Sequence, residues 1–122
     1  MRRIRIAVGE APAELHRLVE ASLAGQPDLM LVAAAPGEVA LMLEASRADV
    51  VVVAMPSGRV PAVAERLLDE YPRVGVVCVD VEAGHGAVYR LRPALEPLDA
   101  VSPGAIAAAI RSAAEDNAWG YR

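Results

Sequence analysis

The sequence predicts an α/β fold, a doubly wound, five-stranded parallel sheet with helices on both faces in a three-layer sandwich. Three observations carry this reading. Short β-branched runs recur along the chain; they are apolar at every position rather than at alternate ones; and the stretches between them repeat apolar residues every three or four positions. A strand that is apolar throughout must be hidden on both faces, and helices on either side of a parallel sheet do that.

Ile4-Arg5-Ile6-Ala7-Val8, ended by Gly9, is the first expected strand. Leu15, Leu18, Val19 and Leu23 then form one helical stripe before Gly25, and Leu29 to Ala34 fits a second strand. After the Pro36-Gly37 turn, Val39, Met42 and Leu43 make a shorter stripe. Residues 50–53 and 74–79 read as the third and fourth strands. Between them Val60, Val63, Ala64, Leu67, Leu68 and Tyr71 line one side of a helix that Pro72 stops.

From Glu82 to Leu98, Gly84-His85-Gly86 and Pro93 leave room only for a short helix over residues 87–91. Pro97, lacking an N–H for the ladder, makes the fifth strand an edge strand. Ser102-Pro103 begins the last helix, since the serine oxygen caps free amides and the fixed φ of proline suits the first helical position. Ile106, Ala109, Ile110 and Ala113 then face inward. Residues 1–115 are expected to form one domain and residues 116–122 a C-terminal tail or the start of a linker.

Composition narrows the function. Hydrophobic residues are 55% of the 122, more than a disordered chain carries. No apolar run, residues 50–56 included, comes near the roughly 20 residues of a membrane-spanning helix, and Met1-Arg2-Arg3-Ile4 opens no signal peptide, so the expected location is the cytoplasm without a membrane partner. The single cysteine, Cys78, supports neither an intramolecular disulfide nor a cysteine zinc site. Net charge is −4 and the arginines after Arg2, Arg3 and Arg5 are scattered, so no stripe for a phosphate backbone forms. All 12 basic residues are arginines, which excludes Schiff-base and Walker lysine chemistry. No cofactor and no metal is expected.

Several strings, in order along nearly the whole chain, resemble the receiver domain of bacterial two-component response regulators, a CheY-like, flavodoxin-like fold. Ile6-Ala7-Val8-Gly9-Glu10-Ala11-Pro12 resembles its first strand and acidic loop. Ala48-Asp49-Val50-Val51-Val52-Val53-Ala54-Met55-Pro56 resembles its third strand and the Met-Pro turn after the phosphorylated aspartate. Tyr71-Pro72-Arg73-Val74-Gly75-Val76-Val77 looks like the approach to its fourth strand, and Ser102-Pro103 with Ala107-Ala108-Ala109-Ile110-Arg111 like its last helix.

The resemblance implies the signalling positions, and they have departed. The phosphoacceptor position falls on Ala54, which has no nucleophilic carboxylate. The acidic pair falls on Gly9 and Glu10, the hydroxyl position on Asp80, the lysine position on Asp99 and the switch aromatic on Glu96. The resemblance therefore implies a pseudo-receiver, with Glu10, Asp80 and Asp99 sharing one acidic crevice around Ala54, splayed or paired with an arginine such as Arg59 or Arg90.

The leading expectation is a non-enzymatic signalling or transcription-regulatory module that acts by binding a protein partner or forming a homodimer. Ala105, Ala107, Ala108, Ala109 and Ala113 offer a helix surface for close approach of a second copy. A ligand-sensing pseudo-receiver, holding a small molecule at the carboxyl edge of the sheet, is the alternative. A metal-assisted hydrolase using Glu10, Asp80 and Asp99 lacks a nucleophile and a histidine base. The tail, Ile110-Arg111-Ser112-Ala113-Ala114 running into Trp119, also resembles the junction to a LuxR-type helix-turn-helix domain, so DNA contact is expected only through such an additional domain.

Overall fold

The computed structural model describes residues 3–91 and 96–119, the last five of them as backbone. Strands β1 (Ile4–Val8), β2 (Leu29–Ala34), β3 (Val50–Ala54) and β4 (Gly75–Asp80) alternate with helices α1 (Ala13–Leu23), α2 (Glu38–Glu44) and α3 (Ala62–Glu70). Strands β5 (His85–Tyr89) and β6 (Glu96–Leu98) and a 17-residue helix α4 (Pro103–Trp119) follow. The backbone of α4 thus remains helical past residue 115; residues 120–122 lie outside the described residues, as do the side chains of the tail.

The sheet has six strands in the order β2-β1-β3-β4-β5-β6. Strands β2, β1, β3 and β4 are mutually parallel, whereas β5 is antiparallel to both β4 and β6. The expectation of five parallel strands is therefore corrected: the sheet is mixed, and the short helix expected over residues 87–91 is replaced by a strand. Two successive reversals leave β6 pointing the same way as β4, so β5 is an added strand wedged between them.

The local chemistry of the β4–β5 hairpin explains the difference. Asp80 pairs with His85 in register, and its Oδ1 accepts a hydrogen bond from the Ala83 amide at 3.1 Å. Gly84 sits at φ +75°, a left-handed position that costs glycine little, and its amide donates to the Asp80 carbonyl at 2.9 Å. The chain is thereby turned straight back, and burial alternates along β5, with Gly86 and Val88 buried. Edge strand β6 contains Pro97, as expected.

Burial period fixes the layers. In β3, Val50 and Val52 join the cluster that includes Leu15, Val19, Ile106 and Ile110 of α1 and α4, while Val51 and Val53 join Leu41, Ala64 and Leu67 of α2 and α3. Strand β4 repeats the alternation, Val77 and Val79 facing the first pair of helices and Val76 and Cys78 the second. Both sheet faces are thus covered, one cluster on each.

Polar contacts pin the layers at their ends. Asp49 is 5% exposed; it accepts the Arg5 backbone amide at 2.9 Å and faces the Arg5 guanidinium, joining β1 to the start of β3. Arg111 of α4 forms a two-pronged ion pair with Asp28, at 2.7 and 3.0 Å, and also donates to Gln26. The guanidinium holds the Asp28 carboxyl below the ordinary carboxylate range. At the other end of α4, Ser102 Oγ accepts the Ala105 amide at 3.2 Å, the cap read from the sequence.

The alanines of α4 are largely consumed within the fold. Ala107, Ala109 and Ala113 are buried, and a Cβ added to Gly75 would stand 2.7 Å from that of Ala113. Of the five alanines expected to allow close approach of a second copy, only Ala108 is exposed and Ala105 half-buried.

Gly86 is the most demanding glycine of the hairpin, because an added Cβ would lie 2.2 Å from the Cys78 carbonyl oxygen. Gly86→Ala is expected to destabilise the protein by about 1–3 kcal/mol in chemical denaturation. A variant as stable as the parent would contradict the pairing of β5 with β4.

Candidate functional site

The chain leaves β1 toward β2 on one side and β3 on the other, so the order of strands reverses at β1. In open α/β sheets the crevice outside the carboxyl ends at such a point is where ligands bind. A half-open cleft of about 150 Å³ lies beside this edge, over the ends of β3 and β4 and the start of α1.

Its floor is apolar. Ala54 ends β3, and beneath it Leu15, Met55 and Val79 are buried. The Met55 amide donates to the Val79 carbonyl at 2.8 Å, which closes the floor between β3 and β4. Pro12 and Pro56 also line the cleft, with three acidic residues: Glu14 from the first turn of α1, Asp80 at the end of β4 and Glu82 in the turn after it. Asp80 and Glu82 also line an adjoining hollow with Ser57. There the chain passes through two successive left-handed residues, Ser57 at φ 62° and Gly58 at φ 68°. The His85 ring lies against Gly58, its Cε1 3.4 Å from where a Cβ would stand.

The residues singled out from the receiver resemblance are separated rather than gathered. Ala54 and Asp80 share the cleft. Gly9 is buried, its amide donating to the Val52 carbonyl at 2.9 Å, and an added Cβ would come within 3.0 Å of Leu41 Cδ2. That position is packed, not poised for a carboxylate. Glu10 is exposed, with Oε1 3.9 Å from where a Cβ on Gly37 would stand, so it leans toward the β2–α2 turn.

Asp99, just past β6, lines a different groove with Val88, Leu98, Ala105 and Ala108. The added strand β5 accounts for this, moving β6 one strand spacing, about 4.8 Å, farther from β4. Glu96 accepts a hydrogen bond from Arg90 Nη1 at 3.0 Å and lies 3.5 Å from Ser112 Oγ. The expected crevice of Glu10, Asp80 and Asp99 is therefore not formed, and Arg90 pairs with Glu96. Among the described residues no group of three or more His, Cys, Asp or Glu side chains is placed to hold a metal ion.

Sequence reasoning missed Glu14 and Glu82. The signal available was an acidic residue in the first turn of the α1 helix and another two positions past the end of an apolar run, both pointing to the carboxyl edge. Cys78 offers no nucleophile, since burial pushes its thiol up to about 12 and keeps it protonated at neutral pH.

Compared with known proteins, the chain matches no family model, no curated protein and no solved structure. Among the described residues no helix is long and apolar enough to cross a membrane.

A carboxylate placed at position 54 would join Glu14, Asp80 and Glu82 at the same cleft. Ala54→Asp is expected to lower stability by about 1 kcal/mol at neutral pH, by like-charge repulsion at a partly buried position. The penalty should shrink as pH falls and the carboxylates take up protons, since repulsion ends with their charge. Thermal melts of both forms at neutral and mildly acidic pH measure this, and a penalty that grows on acidification would contradict it.

Proposed function

We propose that this protein is a receiver-like signalling module that does not accept a phosphoryl group and that acts by contact with another protein or a second copy of itself. The observation that carries the reading is Ala54 at the carboxyl end of the central strand β3, where the receiver resemblance places the acceptor aspartate. The parallel part of the sheet, β2-β1-β3-β4, has the strand order of a CheY-like, flavodoxin-like fold, which supports the same reading.

The chemistry around position 54 agrees with a module that binds rather than turns over substrate. Covalent phosphorylation needs an oxygen nucleophile in line with the donor and cationic groups to stabilise the charge that develops. At this cleft the acceptor position carries only a methyl group, and the described lining holds no cationic side chain. The acidic side chains in that lining repel the dianionic donor. Regulation then falls to binding equilibria, in cytoplasmic signalling or transcription control, with DNA reached through an additional domain.

The second reading, a ligand-sensing form, is favoured by one observation, the cleft itself. The experiment for the leading reading is incubation with acetyl phosphate and magnesium followed by intact mass measurement. An unmodified mass is expected. A phosphoryl adduct that survives on a carboxylate would overturn the proposal.

A further inference from the structure

The two edges of the sheet differ, and the difference deepens the self-contact branch of the proposed function, on which it rests. We propose that the protein forms a two-fold dimer through the outer edge of β2, two copies of that strand pairing antiparallel so that the two sheets run on into one another.

Among the described residues, β2 and β6 are the outermost strands. Strand β6 has only three residues, and within it Pro97 offers no N–H while Glu96 adds a charge. Strand β2 has six, Leu-Met-Leu-Val-Ala-Ala, and the chain carries neither charge nor proline from Leu29 to Ala35. Such an edge leaves a row of peptide donors and acceptors open to another strand. A bulge at Val32, between Leu31 opposite Ile6 and Ala33 opposite Ala7, bends the strand but adds no charge and removes no donor. Leu31 is 40% exposed, the one large apolar side chain of a strand left in this state among the described residues. One open edge beside one guarded edge admits a closed pair and no third copy.

Charge selects a second copy as the occupant. At the start of β2, Arg3 lies against Met30, its Nη1 3.6 Å from the sulfur. At the far end, Glu10 leans toward Gly37 in the turn that follows β2. Both side chains are exposed, and neither forms an ion pair among the described residues. Within one copy they cannot meet, because the length of β1 lies between them, roughly 20 Å at about 3.3 Å per residue. An antiparallel pair about a two-fold axis lays the start of one β2 beside the end of the other. Arg3 of each copy then faces Glu10 of the other, and the contact occurs twice. A parallel pairing would set Arg3 against Arg3 and Glu10 against Glu10.

Sedimentation equilibrium of the whole chain, from about 10 μM to about 1 mM, measures the association, and amide exchange locates it. A monomer–dimer equilibrium is expected, with a dissociation constant of about 100 μM, in keeping with a small interface. The amides of β2 should slow only at concentrations where the dimer forms. Leu31→Lys should weaken dimerisation about tenfold or more while the monomer stays folded, since the side chain is exposed. Ala108→Lys, on the exposed side of α4, should leave it unchanged.

Arg3→Glu and Glu10→Arg should each weaken the dimer about tenfold, and the two together should restore it, a rescue that only contact between copies can produce. A chain monomeric at about 1 mM would overturn the proposal. So would a dimer indifferent to Leu31→Lys, a dimer lost in Ala108→Lys, or a charge exchange that fails to restore association. These outcomes bear on the interface alone, whereas a phosphoryl adduct in the mass measurement would overturn the reading beneath it.

Discussion

Two adjacent strands that are hidden on both faces hold this protein together. Residues 50–53 of β3 and 76–79 of β4 send alternate side chains into two separate apolar clusters, so each strand contributes to both. A fully buried valine is worth about 1.5–3 kcal/mol relative to an exposed one, and here the gain requires helices on both sides. The parallel ladder follows, since only crossover connections through α1, α2 and α3 deliver those helices to the faces. The carboxyl ends of the strands are thereby gathered at one edge, and the loops that leave that edge form the cleft.

The same constraint accounts for what was legible in the sequence. Strands that are largely apolar announce themselves: β1, β3 and β4 fall where the β-branched runs lie, and β2 on the apolar stretch from Leu29 to Ala34. The cap at Ser102 was legible because serine followed by proline joins a capping oxygen to a φ already set for the first helical turn. Strand β5 was not, because His85-Gly86-Ala87-Val88-Tyr89 is too short for its period to decide between helix and strand. Glycines on both sides of His85 read as a loop. In the fold they have two different duties: Gly84 supplies a left-handed turn, and Gly86 admits the Cys78 carbonyl.

That one added strand also reshapes the candidate site. Position 54 was legible, since it follows the four valines of residues 50–53 and precedes Met55-Pro56. The company it keeps was not. Reading five parallel strands puts Asp99 next to β4, whereas β5 occupies that place and sends Asp99 to a groove against α4. Gly9, read as a vacated acidic position, is instead a packing position beneath Leu41. Glu14 and Glu82 line the cleft instead, brought there by the start of α1 and the turn after β4.

The placement of β5 is the claim on which both the fold and the site rest, and cross-strand nuclear Overhauser effects test it most directly. The antiparallel pairing places Cys78 opposite Ala87 and Val76 opposite Tyr89, so the account predicts backbone proton contacts between those partners and slow amide exchange along β5. Sequential amide contacts and contacts three residues apart through residues 87–91, the pattern of a helix, would contradict it.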